Sequence, residues 1–415
     1  MLKQFLVLIL FIFIPSLSFA SENRGIIERK FYQLSIPEKI EGQSEEEIQK
    51  KADLGGARLQ YALGVMYFEG WGVRQDHSKA ALWLEKAANA GFSQATKELG
   101  TIYYNGWGRQ RNVDTAVALW SKAAQDGNNE AIRNLAICYE LGHGVERDLE
   151  QAFRLRQRAA DLGLTLAIHE VAGMYYRGEG TQIDREEAVR LYRVAVSKKF
   201  APSMVSLALL HKTGYGAALD PAKAAALLEE AMSLGDSSAG TYLGKMYERG
   251  DGVKKDSKKA FGLYVKASKS GDPKAVNFLG RMYEKGDGVK KDILKAKKYY
   301  ELASQAGVRQ AHVNLGNLYL KGQGIPKDID RGVALFEKAA NEGMLWAMKK
   351  LALMYRQGKF VGKDLQLSVQ WYSKAFAAGD KDSAKSLGQI YMTGSALFPK
   401  DEVLAKEWFE KARQR

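Results

Sequence analysis

The chain has 415 residues, of which 46% are hydrophobic and 27% charged, so its composition is that of a globular protein rather than a disordered one. A single cysteine excludes an intramolecular disulfide, and with it a disulfide-stapled scaffold or a cysteine-rich metal site. The formal net charge of +14 favours an anionic partner or surface without choosing among them.

The first 20 residues have the pattern of a secretory signal peptide. Lys3 supplies a positive charge, an unbroken apolar run covers residues 5–14, and Ser18 and Ala20 are the small residues that a signal peptidase reads. The run is shorter than the roughly 20 residues that a membrane-spanning helix needs. We therefore expect cleavage after Ala20 and export, to the periplasm or beyond the cell, with no membrane span in the mature chain. An uncleaved signal anchor is the alternative.

Residues 21–43 show no periodicity and are predicted to be a polar N-terminal lead-in. Residues 44–56 match the second half of a repeat unit without its first half, because Gly55 lies 36 residues before Gly91. This segment is predicted to form an N-terminal capping helix over the first repeat.

The sequence then repeats every 36 residues from residue 57 to residue 415, which indicates one repeat array rather than several domains. One column is invariably glycine: Gly70, Gly106, Gly142, Gly178, Gly214, Gly250, Gly286, Gly322, Gly358 and Gly394. A tyrosine precedes each of these glycines by three residues, except in the fifth unit, where His211 replaces it. A single residue is inserted in the tenth unit, between residues 395 and 400.

Each unit is predicted to contain two amphipathic helices. In the first unit Leu63 and Tyr67 lie on one stripe beside the small Gly64, which implies close approach of a neighbouring helix. Gly70 suits a left-handed residue that ends the first helix, and Asp76 suits the N-cap of the second. Neither helix can bury its stripe alone, so the units are expected to stack.

These units resemble the Sel-one-like repeat, a relative of the tetratricopeptide repeat, as residues 242–256 (YLGKMYERGDGVKKD) illustrate. The resemblance implies an all-α fold, an α/α right-handed superhelical solenoid of about ten 36-residue helix-turn-helix repeats, whose first helices line a concave face. It also implies a protein–protein interaction scaffold, similar to periplasmic regulators, polysaccharide-export scaffolds or host-entry factors. The cysteine-rich branch of the family does not apply, because Cys138 is alone.

Alignment with the tetratricopeptide pattern places two columns of each first helix on that concave face. The first column lies two residues before the recurring leucine, as Tyr61 does, and the second lies one residue after the small residue that follows that leucine, as Lys245 does. Together they hold six Lys or Arg residues and no Asp or Glu, which predicts a basic binding face. The candidate partner-binding residues are Tyr61, Lys97, Arg133, Lys245, Arg281, Lys349 and Lys385. Aromatic residues Phe68, Tyr104 and Tyr176 are expected to join the groove or to pack on neighbouring helices.

No catalytic or metal-binding pattern is found, so no catalytic residue, cofactor or metal ligand is predicted. His169 and Glu170 are followed by Val171, which departs from the HExxH zinc motif. Cys138 lies in an otherwise apolar column and is expected to be a buried, inert thiol. The repeated Gly-x-Gly turns follow helices rather than strands, and are expected to be helix caps rather than phosphate loops.

The predicted function is that of an exported, non-catalytic adaptor that binds an envelope or host protein, with an acidic surface, through its basic concave face. A scaffold for an anionic envelope polysaccharide, a secreted host-interaction factor and a peptidoglycan-active enzyme are the alternatives; nucleic acid is not an expected partner. Residues 196–215 depart from the repeat pattern at Lys199, Ser203 and His211, which makes them a candidate hinge.

Overall fold

The computed structural model describes residues 45–413, so the predicted signal peptide and polar lead-in lie outside the described residues. The described chain contains 21 α-helices and, apart from one isolated bridge between Ser395 and Phe398, no β-structure. The all-α repeat fold expected from the sequence is confirmed. The chain divides into two compact units, one ending at Ala188 and the other beginning at Val189.

The helices of the first unit are α1 (Glu45–Leu54), α2 (Ala57–Glu69), α3 (His77–Asn89), α4 (Ser93–Asn105), α5 (Val113–Gln125), α6 (Asn129–Leu141), α7 (Leu149–Asp161) and α8 (Thr165–Arg177). Helix α9 (Arg185–Ser197) contains the boundary between the units. The helices of the second unit are α10 (Ala201–Thr213), α11 (Pro221–Ser233), α12 (Ser237–Arg249), α13 (Ser257–Lys269), α14 (Pro273–Lys285), α15 (Ile293–Gln305), α16 (Arg309–Lys321), α17 (Ile329–Asn341), α18 (Leu345–Gln357), α19 (Leu365–Ala377), α20 (Lys381–Thr393) and α21 (Glu402–Arg413). Even-numbered helices are the first helices of the repeats, and odd-numbered helices from α3 onwards are the second helices.

The helix ends form as the sequence predicts. Gly70 ends α2 in the left-handed conformation, with φ of 76°, and its N–H donates to the Met66 carbonyl oxygen at 2.8 Å. The Asp76 carboxylate then accepts hydrogen bonds from the backbone N–H groups of Ser78 and Lys79, each at 2.9 Å, and so caps α3. The same pair of signals recurs along both units and gives the repeats the same helix length and turn, except in the last repeat, where Gly394 has ψ of −164° and α21 has 12 residues.

The two helices of a repeat approach so closely that the first often has no room for a Cβ atom. A Cβ on Gly280 in α14 would lie 2.6 Å from Cδ1 of Tyr300 in α15, whose side chain is fully buried. Gly244 in α12 stands in the same relation to Tyr264 in α13. The glycine at this position therefore accommodates a large ring from the second helix.

Most turns have a second glycine, replaced by Phe360 and Ala396 in the last two repeats, and this glycine joins one repeat to the preceding one. A Cβ on Gly288, in the turn after α14, would lie 2.2 Å from the carbonyl oxygen of Ser257 at the start of α13. At the other end of the array, Ile48 and Ala52 of α1 are buried against Leu63 and Met66 of α2. Both contacts bury apolar or backbone surface that a single repeat would leave in water.

The close approach at Gly280 can be tested by adding one methyl group. Gly280→Ala gains roughly 1 kcal/mol of helix propensity but forces a Cβ against the Tyr300 ring, which costs about 1–3 kcal/mol. Gly262→Ala is the matched control, because Gly262 lies mid-helix in α13 with no heavy atom near its Cβ position. We expect the urea midpoint of Gly262→Ala to exceed that of the wild type, and the midpoint of Gly280→Ala to lie below that of Gly262→Ala. Equal midpoints for the two variants would contradict the packing described here.

Lys199 occupies a left-handed position, with φ of 57°, where most other second helices are followed by a glycine. Its N–H still donates to the Val196 carbonyl oxygen at 2.8 Å, so the turn closes although a lysine must adopt a strained conformation. The hinge predicted for residues 196–215 is not tested by this geometry, and α10 is a regular helix.

Relief of that strain should stabilise the second unit. Lys199→Gly is expected to raise the free energy of unfolding by about 1 kcal/mol, because glycine adopts positive φ without a Cβ clash. Lys198→Gly is the control, since Lys198 has no positive φ, so the substitution relieves no backbone strain while it adds freedom to the unfolded chain. Urea denaturation followed by circular dichroism compares them. A loss of stability in Lys199→Gly equal to that in Lys198→Gly would rule out the strain.

Candidate functional site

In the first unit two of the predicted binding residues are buried. Tyr61 in α2 is 7% exposed and its ring centroid lies 4.9 Å from that of Phe92; burial raises the pKa of its hydroxyl. Lys97 in α4 is 6% exposed, and its ammonium forms ion pairs with Glu98, at 2.7 Å, and with Glu130. Burial would lower the pKa of Lys97, but the two carboxylates outweigh it and raise the pKa.

Arg133 in α6 belongs to a charged network rather than to a free surface. Its Nε lies 3.8 Å from a carboxylate oxygen of Glu170 in α8. The buried Arg156 of α7 approaches the same carboxylate at 3.3 Å and donates to Glu140 at 2.6 Å. Three successive helices of the first unit thus share their charges, and the guanidinium of Arg133 approaches the Glu170 carboxylate of the next first helix without a hydrogen bond from its Nε.

The predicted residues of the second unit are likewise paired with carboxylates, with one exception. Arg281 in α14 forms an ion pair with Glu248 in α12, and Lys349 in α18 with Asp380 at the start of α20, at 2.9 Å. Lys385 lies 3.6 Å from Asp382 on its own helix. The exception is Lys245.

The cations of the two predicted columns are therefore mostly neutralised by carboxylates that lie outside those columns. Glu98 and Glu170 each follow a column residue directly, and Glu248 lies three residues after Lys245. Sequence reasoning that compared two columns missed them, although a third column, three residues on from the second, would have revealed Glu248. An excess of cations in the columns does not become a face of free cations. Binding of a partner by these residues remains a prediction.

Lys245 has no carboxylate within ion-pair distance among the described residues. Its ammonium lies over two rings instead, 4.6 Å from the centroid of Phe278 and 5.5 Å from that of Tyr242. Burial lowers the pKa of Lys245, and the charges of nearby Lys and Arg residues lower it further. Of the predicted residues, Lys245 is the one whose charge the fold leaves uncompensated.

The aromatic residues of the first unit pack mainly on other rings. The ring centroids of Phe68 and His77 lie 4.9 Å apart in a stacked arrangement. Tyr104 is buried against Trp120, with ring centroids 5.3 Å apart, and its hydroxyl is hydrogen-bonded to Nδ1 of His143 at 2.8 Å. The packing alternative expected for Tyr104 is therefore correct.

Cys138 is buried, as expected, and burial raises the pKa of its thiol to about 12. Within residues 45–413, no three His, Cys, Asp or Glu side chains are grouped as metal ligands would be. No helix in that same range is long and apolar enough to cross a membrane.

Ten consecutive segments of the chain match the family model of the Sel1 repeat. The chain belongs to the Sel1 repeat family. The matched segments are 57–92, 93–128, 129–164, 165–199, 201–236, 238–272, 273–308, 309–344, 347–380 and 382–415. Sel1 repeat proteins are generally protein–protein interaction scaffolds. No curated protein matches the sequence significantly.

Two solved Sel1 repeat structures are similar to this chain. One is c5321, a protective antigen present in uropathogenic Escherichia coli strains, with 28% identity, a TM-score of 0.60, and coverage of 89% of this chain and 79% of c5321. The other is a Sel1 repeat protein from Oxalobacter formigenes, with 28% identity, a TM-score of 0.53, and coverage of 60% of this chain and all of that protein. Both support the repeat fold.

The ion pair of Asp380 makes stability depend on pH. Asp380 is 12% exposed at its side chain and accepts hydrogen bonds from Ser383 and Lys349. Burial alone would raise the pKa of Asp380, but these donors hold it below its usual value. A lowered pKa in the folded state stabilises the protein above the unfolded-state pKa, and this stabilisation is lost as the pH falls through the folded-state value.

Asp380→Asn keeps an N-cap side chain but removes the charge. We expect a loss of about 1–2 kcal/mol at pH 7 that shrinks as the pH falls from roughly 5 to 3, measured by urea denaturation. Asp382→Asn is the control, because Asp382 is exposed and its pair with Lys385 is worth little. If Asp380→Asn lowered the free energy of unfolding equally at pH 7 and at roughly pH 3, the charge of Asp380 would contribute nothing to stability.

Proposed function

We propose that this protein is an exported, non-catalytic adaptor that binds another protein through the exposed face of its first helices. The observation that carries the proposal is the unbroken run of ten Sel1 repeats, since proteins of this family are generally interaction scaffolds. Export is supported by the signal-like pattern of residues 1–20. The partner would then be an envelope or host protein with an acidic surface.

A preformed surface is the mechanism that these repeats support. Lys97 links α4 to α6, and Lys349 links α18 to the start of α20, so neighbouring first helices are held by charge-assisted contacts between their side chains. Side chains that are already ordered lose little conformational entropy when a partner binds. The adaptor therefore presents its face without having to fold around the partner.

Site-specific photocrosslinking in intact cells tests which face is used. A photoreactive residue at Asn317, on the second predicted column of α16, is compared with one at the exposed Leu302 of α15, which is 47% exposed. We expect a single identified protein to be crosslinked from Asn317 and not from Leu302. Crosslinks from Leu302 alone, or the same set from both positions, would contradict the proposed face.

Export is tested separately on the full-length protein. Cell fractionation and mass spectrometry of its N-terminus should find a mature chain that begins at Ser21 in the periplasm or the culture medium. A cytoplasmic chain that retains Met1 would contradict export while leaving the adaptor proposal open.

A role in contact with a host is the second candidate. The similar protein c5321 is described as a protective antigen, which is the observation that favours it. Protein on the outside of intact cells, or in the culture supernatant, would favour this role, whereas protein confined to the periplasm would argue against it.

A further inference from the structure

Lys245 lies in a cluster of cations on the first helices of the second unit. After burial, the charges that lower its pKa are those of Lys274, Arg249, Lys212 and Arg281. Lys212 is paired with Asp251 at 3.0 Å, and Arg281 is paired with Glu248. No carboxylate within the described residues pairs with Lys245, Arg249 or Lys274.

Two carboxylates of these helices and their turns, Glu248 and Asp272, are already engaged. Glu248 accepts from Arg281 and, at 3.0 Å, from the Tyr264 hydroxyl. Asp272 accepts from Thr241 at 2.5 Å and from the backbone N–H of Lys274 at 2.9 Å, where it caps α14. Neither can turn towards Lys245 without breaking a hydrogen bond that holds the fold, so the partly buried ammonium is left open to an anion from outside.

Two stacked aromatic rings, Phe278 and Tyr264, lie next to the Lys245 ammonium. The Phe278 ring is stacked on the buried Tyr264 ring, with centroids 5.1 Å apart and an interplanar angle of 14°. Lys245 and Arg281 lie over Phe278 at 4.6 Å and 4.7 Å from its centroid. Tyr264 thus covers one face of the ring and the two cations lie over the other, so the ring is held in place, and the half-buried setting strengthens any ion pair made there.

We infer that Lys245, with Phe278 beneath it, binds a carboxylate side chain of an extended acidic peptide segment of the partner protein, next to an apolar side chain that packs against the edge of the half-buried Phe278 ring. The inference rests on the proposed function, since it names the ligand that the adaptor face takes. A carboxylate supplies one negative charge to one uncompensated ammonium, and the apolar neighbour uses the adjoining ring.

The chemistry of the cluster favours a carboxylate over a phosphate. Arg281 lies over the same Phe278 ring and is already paired with Glu248, so Lys245 is the unpaired cation over that ring. Its single positive charge matches the one negative charge of a carboxylate, whereas a phosphate group carries nearly two. The fully formed pair of Arg281 and Glu248 also withholds the guanidinium that would hold a phosphate in two places.

The test uses the full-length protein and a short fluorescein-labelled peptide of alternating glutamate and phenylalanine, followed by fluorescence anisotropy. Saturable binding by the wild type is expected to weaken roughly tenfold or more in Lys245→Met, which keeps an unbranched chain between the rings but removes the charge. Lys269→Met is the matched control, since Lys269 is an exposed lysine at the end of α13, and it should bind as the wild type does. Phe278→Leu should weaken binding several-fold by removing the ring.

Absence of saturable binding by the wild type, or equal affinities for Lys245→Met and Lys269→Met, would overturn the inference. A peptide with glutamine in place of glutamate should not bind, and equal binding of it would also overturn the inference. Tighter binding of a phosphoserine version than of the glutamate peptide would replace carboxylate by phosphate as the ligand. The photocrosslinking at Asn317 does not involve Lys245, so an identified partner there, together with a negative peptide result, would separate failure of this site from failure of the adaptor function.

Discussion

The contact between a small residue of the first helix and a large side chain of the second is the constraint on which the rest of each repeat depends. Tyr300 fits against Gly280, and its hydroxyl then donates to Glu284, one turn further along the first helix, at 2.7 Å. Tyr264 holds Glu248 in the same way. A packing contact in the core therefore decides which acidic side chains on the exposed face are already engaged.

That constraint also shapes the electrostatics of the surface. Because Tyr264 holds Glu248, Glu248 in turn holds Arg281, and the neighbouring first helices α12 and α14 become linked through their side chains. Lys245 has no place in this series of contacts, and its charge remains uncompensated. The distinction between a structural and an available cation thus arises from packing in the interior, not from the composition of the surface.

The fold was largely predictable from the sequence, because the residues that end and begin the helices recur every 36 residues in ten units. The residue types of Gly70 and Asp76 alone predict the helix caps that they form, and Gly280 predicts close approach of the neighbouring helix. The strained Lys199 was visible only as a missing glycine; whether the turn would shift or the lysine would adopt positive φ depends on the tertiary packing around it.

The candidate site was less predictable. Lys97 and Lys245 are both cations of the two predicted columns, yet Lys97 is buried between carboxylates and Lys245 lies over aromatic rings. Their difference depends on residues from other columns and from neighbouring repeats, such as Glu130 and Phe278. A residue type in a column gives its helix face but not its partners, since partners are set by how adjacent repeats stack.

The ion pairs between repeats carry a consequence for how such an array can change over time. Loss or duplication of one regular 36-residue repeat would preserve the caps and turns of its neighbours, because most repeats share the same backbone pattern. Lys97 and Glu130, or Glu248 and Arg281, are complementary only as members of adjacent repeats. The backbone makes the repeats interchangeable, whereas the side chains record their order, so shuffled repeats would fold locally but meet mismatched neighbours.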